Sequence, residues 1–349
     1  MWSIGIDVHQ RSFAVCILDE HGKMVKQMRL RGTLAKLLDT IRSIKEPFAV
    51  CYEASCGYGH LHDLFGKLAQ RVVVAHPGQL RLIFRSKKKN DRVDAKKLAT
   101  LLFLDQVPTI HVPSVDVRSW RSLIEFRHRL VAKRTRAKNA LRAVLRGHGV
   151  EQPLGKKLWT RGGVAWLGAV ELPTRQTALQ RDVGVDELEH LETQIKRVEK
   201  ELNAMAEEQP GVYLLRTIPG VGPRTAEAVV AYIDRADRFV RNKQVGSYFG
   251  LVPSQDQTGD QNRLGHITRE GPATVRKLLT EAAWQGIRRS PHIRAYYERV
   301  QGGDKERKKI ALIATAHYLV RVMHSMLRSG ELWRFDGEKT EHRVDQQAA

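Results

Sequence analysis

The stretch WSIGIDVHQRSFAVCILDEHGKMVKQMRL, residues 2–30, decides the architecture of the N-terminal part. Three apolar runs, WSIGIDVH, SFAVCILDE and KMVKQMRL, are separated by short polar segments, a pattern that predicts a three-stranded meander. A helix is expected around 33–45, then the strand FAVCYEA (48–54), the helix GHLHDLFGKLAQR (59–71) and the strand VVVAHP (72–77).

Three antiparallel strands followed by alternating helix and strand is the order of a ribonuclease H-like domain, assigned here to residues 1–108. Residues 113–208 read as helical. A stripe through Trp120, Leu123, Leu130, Ala137, Leu141 and Val144 is interrupted by Arg127 and Arg134. After a break over 149–173, the series Leu188, Leu191, Ile195, Val198, Leu202, Met205 forms a heptad seam. Its length suits an intramolecular hairpin or a dimer contact. Residues 210–334 form a mostly helical region around a polar loop, and 335–349 read as a disordered tail. The fold class is therefore α/β followed by all-α.

Lys and Arg total 59 against 38 Asp and Glu, a formal charge of +21. That excess is the footprint of a polyanion binder. It is spread along the chain, and aromatics make up only 7%, which favours nucleic acid over a membrane surface. Cys16, Cys51 and Cys56 form no CxxC pair, so neither a disulfide framework nor a zinc site is expected, and buried reduced thiols are. Asp7 and His9 stand where a signal peptide needs an apolar core, so a cytoplasmic, nucleoid-associated protein is expected. The apolar run 310–327 contains His317, Arg321 and His324 and reads as a buried helix.

Asp7 sits among Ile4, Ile6 and Val8 in the first strand, a costly place for an acid without a cation or partner. Glu53 ends a strand expected beside the first. Asp91 and Asp94, three apart at a helix start, project from one face. Acids also favour helix starts for reasons unrelated to catalysis. Together the four can converge as hard oxygen ligands, an arrangement that suits two Mg²⁺ ions in phosphoryl transfer. Arg81, Arg85, Lys87, Lys88, Lys89 and Arg92 surround them where a phosphate backbone would approach.

The segment 116–150 is rich in Arg, which suits bidentate phosphate contacts, with Arg127 and Arg134 among the candidates. LLRTIPGVGPRTAEAVVAYI (214–233) matches a helix-hairpin-helix. Gly220 and Gly222 permit its turn, and the exposed amides at the second helix's N-terminus, with Arg224, can hold a phosphate without reading bases. A plain hairpin packing Ile218 and Val221 is the alternative. GLVPSQDQTGD (250–260) offers two hydroxyls, Ser254 and Thr258, ahead of Arg263, Arg269 and Arg276, which can meet a phosphate or its developing charge.

With these residues in hand, the sequence resembles insertion-sequence transposases of the DEDD type, related to the Piv/MooV DNA invertases. GIDVHQ, YEASCGYG and KNDRVDA resemble that family's acidic motifs. IPGVGPRTA, FGLVPSQDQTGDQNRLGHITREGPATVRKLL and EAAW resemble its C-terminal domain. The resemblance implies a RuvC-like domain, a coiled-coil segment and a C-terminal transposase domain. Asp7, Glu53, Asp91 and Asp94 fall on the four acids. It also implies a C-terminal serine that attacks DNA near the acids of a neighbouring subunit. Other implications are DNA ends and target as partners, a homo-oligomer, and in some members a structured bridge RNA as guide. The serine's position, five residues beyond the proline and before a glycine, is Thr258 here, with Ser254 four residues earlier as the alternative. Two other readings stand beside the transposase. One is a metal-dependent, Holliday-junction-resolvase-like nuclease acting by hydrolysis. The other is a binding protein without catalysis.

Overall fold

A computed structural model of the chain describes residues 1–83, 90–152, 157–258 and 261–334. It divides into two compact units, Met1–Arg118 and the chain from Ser119 onward. The segment expected as coiled coil and the C-terminal region therefore fall within one unit. The polar tail 335–349 lies outside the described residues.

The first unit follows the order read from residues 2–77. Strands β1 (Trp2–Val8), β2 (Ser12–Leu18) and β3 (Met24–Arg31) form the meander. Helix α1 (Leu34–Arg42), β4 (Phe48–Glu53), α2 (Tyr58–Phe65) and β5 (Arg71–Ala75) come next, then α3 (Pro77–Ile83) and α4 (Asp91–Phe103). The sheet order is β3-β2-β1-β4-β5, with β1 antiparallel to β2 and parallel to β4. Ile6 is level with Val15 on one side and Tyr52 on the other.

Strand alternation gives the sheet two different faces. Ile4, Ile6, Val15, Val50 and Tyr52 pack with Leu37 and Ile41 of α1 and Leu61 and Phe65 of α2. The opposite face is built from small residues: Ala14 and Cys16 meet Ala95 and Ala99 of α4. Gly5 lies on this face, and a Cβ there would stand 2.1 Å from the Ala95 carbonyl oxygen and 2.4 Å from the Ala99 nitrogen. Helix α4 thus rests backbone-on-backbone against β1, which a side chain at position 5 would prevent. Cys16 and Cys51 are buried as expected, whereas Cys56 is exposed. Burial pushes the Cys51 thiol up to about 12.

The second unit begins within α5 (Val115–Gly147) and continues through α6 (Arg161–Ala169) and α7 (Arg175–Glu207). Helix α6 occupies the segment expected as a break. The α7 seam is satisfied inside the chain: Leu188 packs with Leu141, and Leu191 and Ile195 pack with Leu130 and Ala137 of α5. Helices α8 (Pro210–Arg216), α9 (Pro223–Ile233) and α10 (Asn242–Tyr248) follow. Strands β6 (Pro253–Thr258) and β7 (Gln261–Ile267) come next, then α11 (Ala273–Arg289), α12 (Pro291–Gln301) and α13 (Lys308–Ser329). The polar loop expected at 250–260 is thus largely a strand of a two-stranded antiparallel ribbon. The stretch Lys305–Ser329 is long and apolar enough to cross a membrane by composition, yet half of its apolar 18-residue window is buried. Leu312, Ala316, Leu319, Val320 and Met323 sit in the unit's main core with residues of α8, α9 and α11.

The packing at Gly5 sets a direct test. Gly5→Ala adds one methyl group, and its overpacking is expected to cost about 1–3 kcal/mol. The measurement is the first unit's midpoint in urea, followed by circular dichroism. An unchanged midpoint would contradict the close approach of α4.

Candidate active site

The α4–β1 packing carries the acids of the first unit to one place. Asp7 lies near the end of β1, level with Ala14 of β2 and two residues beyond Gly5, so alternation turns it toward α4. Helix α4 begins at Asp91, capped by the Asn90 side chain accepting from the Arg92 amide at 3.1 Å. Candidate ligand atoms of Asp7, His9 and Asp91 lie within 4.8 Å of one another. His9 Nε2 is 3.2 Å from Asp7 Oδ2 and 3.5 Å from Asp91 Oδ1. Arg29 of β3 places Nη2 3.3 Å from Asp91 Oδ2. Asp94 is turned to Lys97, 3.2 Å away.

Glu53 ends β4 one step beyond the Ile6–Tyr52 pair, so it stands on the strand beside Asp7. Ala49 and Cys51 face α4, which gives Glu53 the same side by alternation. The metal-suited cluster itself comprises Asp7, His9 and Asp91 among the described residues. All four acids stand out in the sequence, which assigns His9 and Arg29 no part. His9 was visible in GIDVHQ, but only the β1–β2 turn, with the His9 amide donating to the Ser12 carbonyl at 3.0 Å, brings its ring back to Asp7.

Burial pushes the Asp7 carboxyl above its ordinary value, His9 opposes this, and Asp91 and Asp94 add to the rise. Crowded acids of this kind favour a bound cation. Carboxylate oxygens with one imidazole nitrogen form a donor set that fits a divalent ion, with His9 and Arg29 compensating the charge meanwhile.

The cations expected to bind phosphate fall in different parts of the chain. Arg81 on α3 and Arg92 on α4 are exposed, whereas Arg85, Lys87, Lys88 and Lys89 lie outside the described residues. In the second unit, two expected phosphate ligands already hold carboxylates. Arg127 Nε donates to Glu199 Oε1 at 2.8 Å, and Arg134 Nη1 lies 3.1 Å from Glu192 Oε2. Both pairs join α5 to α7, which explains why arginines interrupt the apolar stripe there.

The expected helix-hairpin-helix is α8 and α9 with the turn between them. Gly220 has φ +92°, and a Cβ there would stand 2.4 Å from the Gly286 nitrogen, so this glycine serves the packing of α11. Gly222 caps α9 and faces open space. Ile218 and Val221 are buried. Arg224 bonds Asn203 and lies 3.2 Å from Glu227, which is only 1% exposed. Burial, partly offset by Arg224, raises the Glu227 carboxyl to about 7.

The β6–β7 ribbon holds both hydroxyl candidates. Thr258 is the last residue of β6, paired with Gln261 and exposed. Ser254 sits near the stem, its Oγ 2.5 Å from where a Cβ on Gly265 would lie. Arg263 Nη2 donates to Gln261 Oε1 at 3.2 Å, and Arg269 adopts φ +57°. Arg276 Nη1 donates to the carbonyls of Phe249 at 3.3 Å, Gly271 at 3.1 Å and Glu270. Arg276 therefore braces the ribbon's base. Gly250, with φ +64°, could not carry a Cβ there either, since it would stand 2.4 Å from the backbone of Glu270.

A mixed sheet in this order with acids gathered on one face is consistent with a ribonuclease H-like domain, followed by a helical unit. Residues 4–149 match a model for DEDD transposases of the IS110 group, described as "Transposase", and residues 212–298 match the "Transposase IS116/IS110/IS902 family". The two matches support a transposase of the IS110/IS116 family, an enzyme acting on DNA, with a DEDD domain in its first part. A probable family 20 transposase of Pseudomonas aeruginosa is 27% identical, over 95% of this chain and 98% of its own. The transposase for insertion sequence element IS1111A of Coxiella burnetii is 28% identical over 80% and 76%. The transposase for IS1328 of Yersinia enterocolitica is 28% identical over 80% and 82%. These matches do not favour the hydrolytic resolvase.

Glu227 makes a pH prediction whose sign is fixed. Its pKa is raised on folding, so its penalty is absent below about 4.5 and grows until pH reaches about 7. Stability should fall by about 3 kcal/mol across that window relative to Glu227→Gln. Urea midpoints of the two proteins measured against pH should diverge there, and parallel curves would contradict the burial of this carboxyl.

Proposed function

We propose that this transposase cuts and rejoins DNA through a covalent link to a hydroxyl of the β6–β7 ribbon, with Asp7, Glu53, Asp91 and Asp94 forming its acidic centre. The observation that carries the reading is the convergence of Asp7, His9 and Asp91 on the face covered by α4. Mg²⁺ bound there would stabilise charge on the oxygens exchanged at phosphorus. The residues themselves would hold and orient it: Asp7 from a strand, Asp91 from a helix start, and Glu53 from the adjacent strand.

In the covalent step the hydroxyl gives up its proton as its oxygen bonds phosphorus, while the bond from phosphorus to a sugar oxygen breaks and that oxygen takes up a proton. The phosphodiester is thereby exchanged for a phosphate ester to protein, and a strand hydroxyl can reverse the exchange. Thr258 is the preferred nucleophile: it stands at the ribbon's outer end, whereas Ser254, equally exposed, has its Oγ beside Gly265 near the stem. The +21 charge suits DNA and equally a structured RNA guide, and assembly of at least two copies fits the joining of two ends. The exposed Arg81 and Arg92, with the α9 amides at Gly222, are the proposed backbone contacts.

A nicked or suicide DNA substrate tests the reading on denaturing gels. A protein–DNA adduct is expected with the native chain and with Ser254→Ala, and none with Thr258→Ala or Asp7→Asn. An adduct that survives Thr258→Ala and vanishes in Ser254→Ala moves the nucleophile. Metal-dependent cleavage without any adduct would return the hydrolytic mechanism.

A further inference from the structure

The two faces of the β6–β7 ribbon carry different chemistry. The register pairs Gln255 with Leu264, Gln257 with Asn262, Asp256 with Arg263 and Thr258 with Gln261. Alternation therefore gathers Gln255, Gln257, Asn262 and Leu264 on one face, and Asp256, Arg263, Thr258 and Gln261 on the other. The Ser254–Gly265 approach belongs with the second face. Hydroxyls and charges are thus separated from three carboxamides and a leucine.

Among the described residues, the carboxamide face has no core beneath it. All residues of β6 are exposed, and Leu264 is 66% exposed. Gln255 Nε2 donates to Asn262 Oδ1 at 2.9 Å and to Gln257 Oε1 at 3.4 Å, so the amides lie together as a polar sheet. A two-stranded ribbon with so little burial is marginal by itself, yet its base is held by Arg276 and by Thr268, whose amide donates to the Val252 carbonyl at 2.9 Å. A braced ribbon with an uncovered amide face is built to meet something.

We infer that this face enters the major groove of B-form DNA and reads A·T pairs there. The inference rests on the proposed action on DNA and adds a base-reading surface to it. The major groove admits a two-stranded ribbon, and carboxamides pair bidentately with the N6 and N7 of adenine. Leu264 supplies the apolar contact that a thymine methyl takes. Arg269, two residues beyond β7, and Lys277 on α11, 56% exposed on its side chain and 3.8 Å from Glu281, are cations near the ribbon's base in sequence that can contact backbone phosphates. The deep, narrow major groove of A-form RNA would not receive the ribbon. With the amides on the groove floor of one duplex, the hydroxyl face stays free to meet a phosphate of the other DNA end.

The test uses the full-length protein freed of nucleic acid and a randomised DNA duplex pool selected for binding. The native chain should enrich A·T at two or three neighbouring positions. Gln255→Ala with Asn262→Ala should reduce that preference about tenfold per contacted pair, and Leu264→Ala should weaken discrimination of thymine from uracil. As a measurement independent of any variant, 7-deazaadenine in the selected duplex should lower the native protein's affinity to a similar degree. No A·T preference, a preference unaltered by the variants, or indifference to 7-deazaadenine overturns the inference. So does a change in sedimentation of the variants with unchanged base preference, which would assign the ribbon to a second copy of the chain. A protein that forms the covalent adduct without base preference removes this inference alone, whereas absence of both adduct and DNA binding removes the proposed function as well.

Discussion

The close approach of α4 to β1 over Gly5 is the contact on which the candidate active site depends. An ordinary side chain at position 5 would lift the helix by the depth of that side chain, and Asp91 would leave Asp7. Ala14, Cys16, Ala95 and Ala99 keep the same interface thin on either side. The result is unfavourable electrostatics by design: a half-buried Asp7 beside Asp91 and Asp94, with its carboxyl pushed upward. Packing energy from the two sheet faces holds these charges together, while His9, Arg29 and Lys97 soften their repulsion. A divalent cation is the natural partner of such a centre.

In the second unit the same economy of charge works the other way. Formal charge suggests that the long α5 helix is an open cationic rail, yet Arg127 and Arg134 are joined to Glu199 and Glu192 of α7. Net charge on a segment is thus a poor guide to which cations face a ligand. The polar surface left with the least internal purpose is the β6–β7 ribbon, whose base is the firmly built part and whose length is exposed. A family-level match and the ribbon's chemistry together point to DNA as what meets it.

The N-terminal fold was legible because its strands are short apolar runs set off by short polar turns. Asp7, Glu53 and the Asp91–Asp94 pair were legible because acids in apolar strands and at helix starts stand out. His9 and Arg29 were not, since they join the site through a turn and through a strand two places away in the sheet. The β6–β7 strands escaped because PSQDQT and QNRLGHI bury nothing, so no apolar alternation marks them. Helix α6 was hidden by glycines at 162, 163 and 168 that read as a break. Gly163 is close-packed, with a Cβ there 2.4 Å from the Lys157 carbonyl oxygen, so one of those glycines serves packing. The α7 seam left dimer and hairpin equally open, because a heptad pattern does not name its partner; the residues of α5 that fill it do.

The central claim is that the sheet and α4 together build a cation site from Asp7 and Asp91. Anomalous diffraction from crystals of the full-length protein grown with Mn²⁺ addresses it most directly. The account predicts a peak within coordination distance of carboxylate oxygens of both residues, with the Arg29 guanidinium displaced from Asp91. A structure in which Mn²⁺ binds elsewhere, while Asp91 keeps its contacts with Arg29 and His9, would contradict it.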